Sequence, residues 1–245
     1  MNLVTESYTE NPSLDIAISK ALLDRISNGE EEDTLRIYVP PKVVAFGPQD
    51  VVSRGYDSAK ASAVLHGFQG TRRIVGGRAV AMTDTTIAFS IIKRSDRPRF
   101  GLIPRFIGVS NSLRAVLRNL GVDANIGKIE GEYCPGDFSV NARHMKKIIG
   151  VGQRIASRAT YLGGIIVVAN NRSIKEILSD VYSHLEIVWN PNSVGSISDE
   201  IGQVTIQNVI KELIEEFSMH NDLKEVSLNE DTLELAKYKI QRYKA

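Results

Sequence analysis

The chain has 245 residues, 42% of them apolar, with 30 basic and 29 acidic side chains and a formal net charge of +1. This balance excludes a general electrostatic attraction to nucleic acid or to an anionic membrane, and no apolar run approaches the roughly 18 residues that a membrane-spanning helix needs. One cysteine excludes an internal disulfide, and the N-terminus lacks the pattern of a signal peptide, so a cytoplasmic protein is expected.

The N-terminal third of the chain predicts two helices and two strands. A helix is expected from about Ser13 to Asn28-Gly29, because apolar residues recur between them at helical spacing. The segment LRIYVPPKVVAFG is typical of two short strands separated by Pro40-Pro41. A polar helix is predicted from about Val51 to His66. Its inward-facing residues are expected to be Tyr56, Ala59, Ala63 and Val64.

The middle of the chain is rich in predicted strands. The block from Gly70 to Ile92 is expected to be mostly β, because apolar residues alternate with other residues near its end. A helix is predicted over about Ser110 to Leu120, and Gly121 is expected to end it in a left-handed conformation. Further strands are predicted around Lys128–Tyr133, Phe138–Asn141, Lys147–Arg154 and TYLGGIIVVAN.

The last third of the chain is predicted to be mostly helical, with helices over about Ser173–Leu185, Thr205–His220 and Glu230–Tyr243. Strands in the middle and helices at both ends predict an α+β fold, with a mostly antiparallel or mixed sheet covered on one face by helices. We expect one domain over residues 1–245, a helical C-terminal segment from about residue 190, and no separate accessory domain.

The segment RRIVGG combines arginines with a glycine pair. Gly76 and Gly77 lack a Cβ, so a ligand could lie against their backbone, and their N–H groups could bind an anion or an acyl chain. Arg73 could neutralise a phosphate or a carboxylate. The alternative is a turn that bends a strand, with arginines exposed to solvent.

The other two candidates are Lys147 and the single cysteine, Cys134. Lys147 lies in KKIIGVGQR, where a desolvated lysine could polarise a carbonyl or act as an acid or base; the alternative is an exposed lysine of an edge strand. Cys134 could be a packing residue, because free cysteines are often buried. Its place in a Pro-Gly turn also suits a reactive thiol. The histidines have no metal-ligand spacing, so no metal site is predicted.

The order of these motifs resembles the lipoate–protein ligase and octanoyl/lipoyl-transferase family, whose catalytic fold is shared with biotin–protein ligases. The resemblance runs from NPSLDIAISKALL through VVAFGPQD and RRIVGGRAV to EYCPGDFSVNARHMKKIIGVGQR. The Cys-Pro-Gly motif is most similar to the branch of cysteine-dependent amidotransferases. Arg78 and Met82 stand where many members have a third glycine and a histidine, which departs from the ATP-dependent ligases.

The resemblance implies that Cys134 carries the acyl group as a thioester and that Lys147 contacts the acyl carbonyl and favours the thiolate. It also implies a set of substrate-binding residues: Arg73, Gly76, Gly77, Arg78, Ala79, Gly150 and Gln153. The implied reaction attaches a lipoyl or octanoyl group to a lysine of a lipoyl-domain carrier or a carrier like the glycine-cleavage H protein.

Two alternatives remain open. In the first, the chain is an ATP-dependent lipoate–protein ligase that forms lipoyl-AMP with ATP and Mg²⁺, and Cys134 only lines the pocket. In the second, it is a non-catalytic acyl-binding module. The thioester route needs no cofactor, and lipoate or octanoate supplies the acyl group in either reaction.

Overall fold

A computed structural model describes all 245 residues, which form eleven strands and eight α-helices. The strands are β1 (Asn2–Val4), β2 (Thr34–Tyr38), β3 (Val43–Phe46), β4 (Gln69–Arg72), β5 (Val80–Met82), β6 (Thr86–Arg94), β7 (Ala124–Ile126), β8 (Val140–Ala142), β9 (Lys146–Ile155), β10 (Ala159–Val167) and β11 (Lys224–Glu225). The helices are α1 (Pro12–Asn28), α2 (Pro48–Val51), α3 (Tyr56–Leu65), α4 (Leu102–Asn119), α5 (Asn171–His184), α6 (Ile197–Ile201), α7 (Ile206–Ser218) and α8 (Glu230–Lys239). None of these helices has both the length and the apolar composition to cross a membrane.

The larger of two sheets has eight strands in the order β11-β1-β2-β6-β10-β9-β8-β7. Strand β1 pairs in parallel with β2 and β11, while the remaining neighbours are antiparallel. The predicted α+β fold with a mixed sheet is therefore confirmed. The long strands β6, β9 and β10 form its centre, and the candidate site lies along them.

Helices cover both faces of this sheet, rather than the one face that the sequence predicts. Successive residues of a strand point to opposite faces. Ile91 of β6 packs in a cluster with α4 and α7, whereas the next residue, Ile92, packs in a cluster with α1 and α8. The first seven residues of β6 are buried on both faces. The sequence predicts this strand as an alternating, half-buried one, and the second layer is therefore missed.

The smaller sheet has three strands in the order β4-β3-β5, and it packs with α3 and α5 in a third cluster. The two strands predicted around Pro40-Pro41 are present as β2 and β3, and they belong to different sheets. One predicted core position of α3 is wrong, since Val64 is 67% exposed.

Several other boundaries differ from the prediction. Helix α4 begins at Leu102, whereas the prediction placed its start near Ser110. The first two turns expose Leu102, Ile103 and Ile107, so they have no buried stripe by which the helix could be predicted. Residues 128–133 form an irregular loop with a turn at residues 130–131, instead of the predicted strand. The sequence also missed the short strands β1, β7 and β11, which have too few residues for an alternating pattern. Gly121 follows the C-terminal end of α4 and has φ +99°, the left-handed conformation that the sequence predicts.

The C-terminal segment is mostly helical, as expected, but it is spread over the fold. Helix α7 packs on α4, α8 packs on α1, and β11 pairs with β1 at the edge of the large sheet. That residues 1–245 form one domain without an accessory domain stays a prediction.

A buried ion pair joins α1 to β2. Arg36 and Asp15 are both almost fully buried, and their side chains are hydrogen-bonded to each other. Arg36 also donates to the main-chain oxygens of Asp15 at 2.9 Å and Glu6 at 3.1 Å. Its guanidinium lies 4.1 Å from the ring centre of Tyr38. Burial raises the pKa of Asp15 although Arg36 opposes that shift.

We expect Asp15→Ala to lower the free energy of unfolding by about 3–5 kcal/mol, because it leaves the buried charge of Arg36 without its partner. The matched control is Glu215→Ala, which removes the exposed pair with Lys211 on α7 and should cost about 0.3–0.5 kcal/mol. Urea unfolding measures both. Equal losses in the two variants would contradict the structural role of the buried pair.

Candidate active site

The cysteine loop and the glycine loop meet at the thiol of Cys134. Its Sγ lies 3.4 Å from Nη1 of Arg73 and 3.3 Å from the main-chain nitrogen of Arg78. Cys134 is partly exposed. Both neighbours are hydrogen-bond donors, and one of them is a guanidinium, so the sulfur is the acceptor in both contacts.

Gly77 leaves the space that the thiol occupies. It has φ +100°, and a Cβ added to it would lie 2.7 Å from Sγ of Cys134. The adjacent Gly76 has no atom within 4 Å of the corresponding position. Gly77 therefore has to be a glycine for two reasons, its positive φ and its close contact with the thiol, and neither reason applies to Gly76.

The GPQD turn supports the glycine loop from behind. A Cβ on Gly47 would lie 1.8 Å from the carbonyl oxygen of Gly77, so the two loops touch through their backbones. The fully buried carboxylate of Asp50 accepts hydrogen bonds from the nitrogen of Gly47 at 2.8 Å and from Nη1 of Arg78 at 3.3 Å. Burial raises the pKa of Asp50, and these donors partly offset it.

Lys147, at the start of β9, holds the cysteine loop. Its Nζ donates to the carbonyl oxygens of Cys134 at 2.8 Å and Tyr133 at 3.1 Å, and to Oε1 of Glu132 at 3.2 Å. These three partners use the three donors of an ammonium group. Burial lowers the pKa of Lys147, and Glu132 opposes that shift. The ammonium is thus bonded to the carbonyl oxygen of Cys134 and not to its thiol.

Glu132 completes this anchor. Its Oε1 also accepts hydrogen bonds from the nitrogen of Gly136 at 2.8 Å and from Oγ of Ser139 at 3.0 Å. A buried carboxylate two residues before Cys134 is therefore bonded to two residues that follow it. This matters because Cys134 has φ +42°, a left-handed conformation that costs a non-glycine residue about 1–3 kcal/mol. The surrounding hydrogen bonds offset that cost and fix the direction of the thiol.

Tyr182 of α5 links the two loops. Its hydroxyl accepts a hydrogen bond from the main-chain nitrogen of Cys134 at 2.9 Å and donates one to the carbonyl oxygen of Ala79 at 2.9 Å. Tyr182 is 1% exposed, and burial raises its pKa well above the ordinary value. It therefore remains a neutral donor, and it fixes the spacing between Cys134 and the glycine loop.

A narrow cleft leads away from the thiol. Its polar end is lined by Cys134, Tyr133, Ser139, Lys147 and Gly150, among others. It continues into an apolar channel whose walls include Tyr38, Ala45, Ile74, Val75, Met82 and Ala88. Arg73, Val80, Gly164 and Ile165 line both parts. A thiol at the polar end of an apolar channel can receive the carbonyl of a group that carries a hydrocarbon chain.

The predicted site residues are mostly brought together, with two exceptions. Gln153 binds Nε of Arg105 at 2.7 Å and the carbonyl of Leu102 at 3.2 Å, away from the cleft. Gly76 is exposed and lines neither part of the cleft. No cluster of three or more His, Cys, Asp or Glu side chains that could hold a metal ion is present.

Sequence reasoning missed three residues of the site. Glu132 stands two residues before the cysteine, and Asp50 ends the GPQD segment, so both lie in motifs that were visible in the sequence. Tyr182 lies 48 residues after Cys134. Its apolar helical surroundings mark it only as a core position, and no sequence signal separates it from other buried tyrosines.

The chain is similar to known proteins over most of its length. The model of the lipoyl protein ligase A/B catalytic domain matches residues 11–218. The octanoyl-[GcvH]:protein N-octanoyltransferase of Oceanobacillus iheyensis is 22% identical over 240 residues, which cover 93% of this chain and 84% of that protein. The protein of the same name from Anoxybacillus flavithermus is 28% identical over 158 residues, covering 62% of this chain and 55% of the relative.

Solved structures have the same fold. A lipoate-protein ligase A with bound ATP has a TM-score of 0.79 and 21% identity, over 98% of this chain and 94% of that one. The bi-partite lipoate protein ligase of Thermoplasma acidophilum, described together with its E2 lipoyl domain, is similar as well. Its TM-score is 0.75 and its identity 21%, over 98% of this chain and 91% of that one. With the match over residues 11–218, the chain belongs to the lipoyl protein ligase A/B catalytic-domain family of enzymes.

Proposed function

We propose that this enzyme transfers an octanoyl or lipoyl group to a lysine of a lipoyl-domain carrier through a thioester on Cys134. The observation that carries the proposal is the position of the thiol: it lies between the Arg73 guanidinium and the Arg78 N–H at the mouth of an apolar channel. The relatives named octanoyl-[GcvH]:protein N-octanoyltransferase support the same reaction.

The transfer takes two steps. The Cys134 thiolate attacks the carbonyl carbon of the acyl-lysine amide on a donor carrier, the C–N bond breaks, and the leaving amine takes up the proton that the thiol lost. A lysine amine of the acceptor carrier then attacks the thioester, the C–S bond breaks, and the amine's proton returns to the sulfur. One amide is exchanged for another, so the route requires no cofactor.

Arg73 and the N–H of Arg78 stabilise negative charge in both steps. They already contact the sulfur, so they are close enough to donate hydrogen bonds to the oxygen that becomes charged when the sulfur attacks a carbonyl. Such fixed donors are most effective at a site from which water is excluded. The channel wall of Tyr38, Ile74 and Met82 holds the acyl chain and limits hydrolysis of the thioester.

Lys147 is proposed as a positioning residue. All three of its donors bind the cysteine loop and Glu132, so it orients the thiol and lowers the cost of the strained backbone at Cys134. Gly150 faces the same ammonium: a Cβ on it would lie 3.2 Å from Cε of Lys147. The glycine therefore keeps the lysine in place while leaving the polar end of the cleft open.

The proposed partner is a carrier of the GcvH or lipoyl-domain type, as the relatives' names suggest for them. We also propose a cytoplasmic location, since the only cysteine is needed as a free thiol. ATP-dependent ligation of free lipoate is the alternative, in which pyrophosphate is released only with ATP and lipoate together. The experiment on Cys134 distinguishes the two reactions.

Incubation with an octanoylated carrier should add one octanoyl group to Cys134, in a bond that hydroxylamine cleaves. Cys134→Ala should lose transfer by at least about a thousandfold, because it removes the nucleophile. Intact-protein mass spectrometry and a transfer assay without ATP measure the two effects. Full activity of Cys134→Ser without any adduct, or transfer only with ATP, would contradict the thioester route.

Gly77→Ala should reduce kcat/KM by about a hundredfold, because the added methyl group displaces the thiol and strains the backbone. Gly76→Ala is the matched control in the next residue, where the added methyl group meets no atom within 4 Å, and it should change kcat/KM by no more than about threefold. Equal effects of the two substitutions would show that the thiol does not depend on the space at Gly77.

Lys147→Met should lower kcat by about a hundredfold and leave the KM for the carrier unchanged, because the cysteine loop loses three hydrogen bonds. Lys146→Met is the matched control, since the Lys146 ammonium binds the carbonyl of Asn192 outside the cleft. We also expect the pH dependence of the rate at which iodoacetamide alkylates Cys134 to change in Lys147→Met and to stay the same in Lys146→Met.

If Lys147→Met does not fold, the double variant Glu132→Gln/Lys147→Met removes the buried carboxylate that the single change leaves unpaired. It should recover stability while activity stays low. Activity that recovers together with stability would mean that Lys147 serves the fold only.

A further inference from the structure

An exposed apolar surface lies where helix α4 begins. Four large apolar side chains there have exposed fractions between 42% and 70%, and we call them the α4 surface: Phe100, Leu102, Ile103 and Ile107. Phe100 precedes the helix, and the other three lie in its first two turns. Ile103 and Ile107 share one face of the helix, because they stand four residues apart. Exposed apolar residues that are scattered singly need no explanation, but a cluster of them marks an interaction surface.

Helix α4 is fixed against the loop that carries the thiol. The ring of Phe106 stacks on the ring of Phe138, with the two centres 4.8 Å apart and the planes 3° from parallel. One turn further along the helix, Oγ of Ser110 donates to the carbonyl oxygen of Phe138 at 2.9 Å. Phe138 follows Cys134 by four residues, and Ile107 of the α4 surface directly follows Phe106. The α4 surface therefore lies beside the cysteine loop.

Side-chain hydrogen bonds hold the α4 surface in place. Nε of Arg105 donates to Oε1 of Gln153 at 2.7 Å, and its two other nitrogens donate to the carbonyls of Phe100 and Pro98. Nε2 of Gln153 donates to the carbonyl of Leu102 at 3.2 Å. These bonds tie the start of α4 to strand β9, whose preceding residues line the cleft. Gln153 lies outside the cleft, and here it fixes a surface next to it, which lowers the cost of ordering that surface on binding.

The same stretch of chain carries positive charge. Residues 93–105 have a net charge of +4, whereas the whole chain has +1. The stretch contains one acidic residue, Asp96, and five basic ones: Lys93, Arg94, Arg97, Arg99 and Arg105. Arg97 and Arg99 are exposed and form no salt bridge with a carboxylate of this chain. The guanidinium of Arg97 lies 5.9 Å from the ring centre of Phe100. Positive charge thus borders the α4 surface, and it favours an acidic partner.

We infer that the α4 surface, with Arg97 and Arg99, binds the carrier domain through an acidic and apolar face next to the carrier's acylated lysine. The inference rests on the proposed function, which requires that lysine to reach Cys134. A specific interface buries about 800 Å² on each partner. One lysine side chain is much smaller than that, so the carrier also has to contact the surface around the cleft.

The two parts of this surface have different effects. The apolar residues supply buried contact area, while the arginines raise the association rate and select an acidic carrier. A second copy of this chain is a poorer fit, because a symmetric contact through the α4 surface would bring the same arginines together.

The first test reverses the charge. Arg97→Glu/Arg99→Glu should raise the KM for the octanoylated carrier by at least about tenfold at low salt and change kcat by no more than about twofold. The KM of the unaltered protein should rise with salt, and that of the variant should not. The control Arg172→Glu/Lys175→Glu makes the same change of charge on α5 and should leave the KM unchanged. Equal KM values in all three proteins would overturn the inference.

A small acyl donor separates docking from chemistry. The octanoyl thioester of N-acetylcysteamine should transfer its acyl group to Cys134 at the same rate in the unaltered protein and in Arg97→Glu/Arg99→Glu, because this donor needs no docking surface. Intact-protein mass spectrometry measures the adduct. Absence of an adduct from both this donor and the carrier would contradict the proposed thioester route. An equal loss of rate with both donors in the variant would instead overturn the docking inference.

A second pair of substitutions tests the apolar part. Ile103→Ser/Ile107→Ser should raise the KM for the carrier by about tenfold while its salt dependence stays that of the unaltered protein, because the arginines remain. Both residues are exposed, so the fold does not depend on their side chains. An unchanged KM would overturn the inference. So would an unaltered protein that is dimeric in sedimentation experiments and becomes monomeric in this variant, since the surface would then bind a second copy.

Discussion

The candidate site depends on one buried ion pair, Lys147 with Glu132, and on the main-chain carbonyls that the lysine also binds. Taking two charges out of water is unfavourable unless their remaining hydrogen-bonding groups are satisfied. Here Gly136 and Ser139 satisfy the carboxylate, and the carbonyls of Tyr133 and Cys134 satisfy the ammonium. The pair therefore holds the strained loop that carries the partly exposed thiol of Cys134.

The glycine loop depends on contacts of a different kind. Gly47 and Gly77 touch through their backbones, and Gly77 leaves the space for Sγ of Cys134. Tyr182 then sets the distance between this loop and the cysteine loop. Two polar networks and one steric contact thus meet at the thiol, and residues of the strands beside it line the apolar channel. The arrangement suits acyl transfer better than a packing role for the cysteine.

The fold and the family were largely predictable. Long helical and alternating patterns such as α1 and β6 gave the elements, and the order of RRIVGG, EYCPGD and KKIIGVGQR gave the resemblance. Short strands such as β7 and the early turns of α4 were not predictable, because they have too few buried residues to form a periodic pattern. The helices of both layers were predicted, but the face of the sheet on which each one packs was not, because that depends on the tertiary structure. The contact of Lys147 with an acyl carbonyl stays a prediction, and its hydrogen bonds to the carbonyls of Tyr133 and Cys134 were not predicted, since a sequence does not say which atom an ammonium reaches.

By itself, the sequence determined which groups were available: one thiol, a lysine thirteen residues later, and a glycine pair beside arginines. Only the tertiary structure decided that Arg73 and Arg78 contact the sulfur while Lys147 contacts the main chain, and that Gln153 lies outside the cleft. The physical reason is that these distances join residues far apart in the chain. They are fixed by sheet register, by buried hydrogen bonds and by the space that Gly77 leaves, none of which a local pattern encodes.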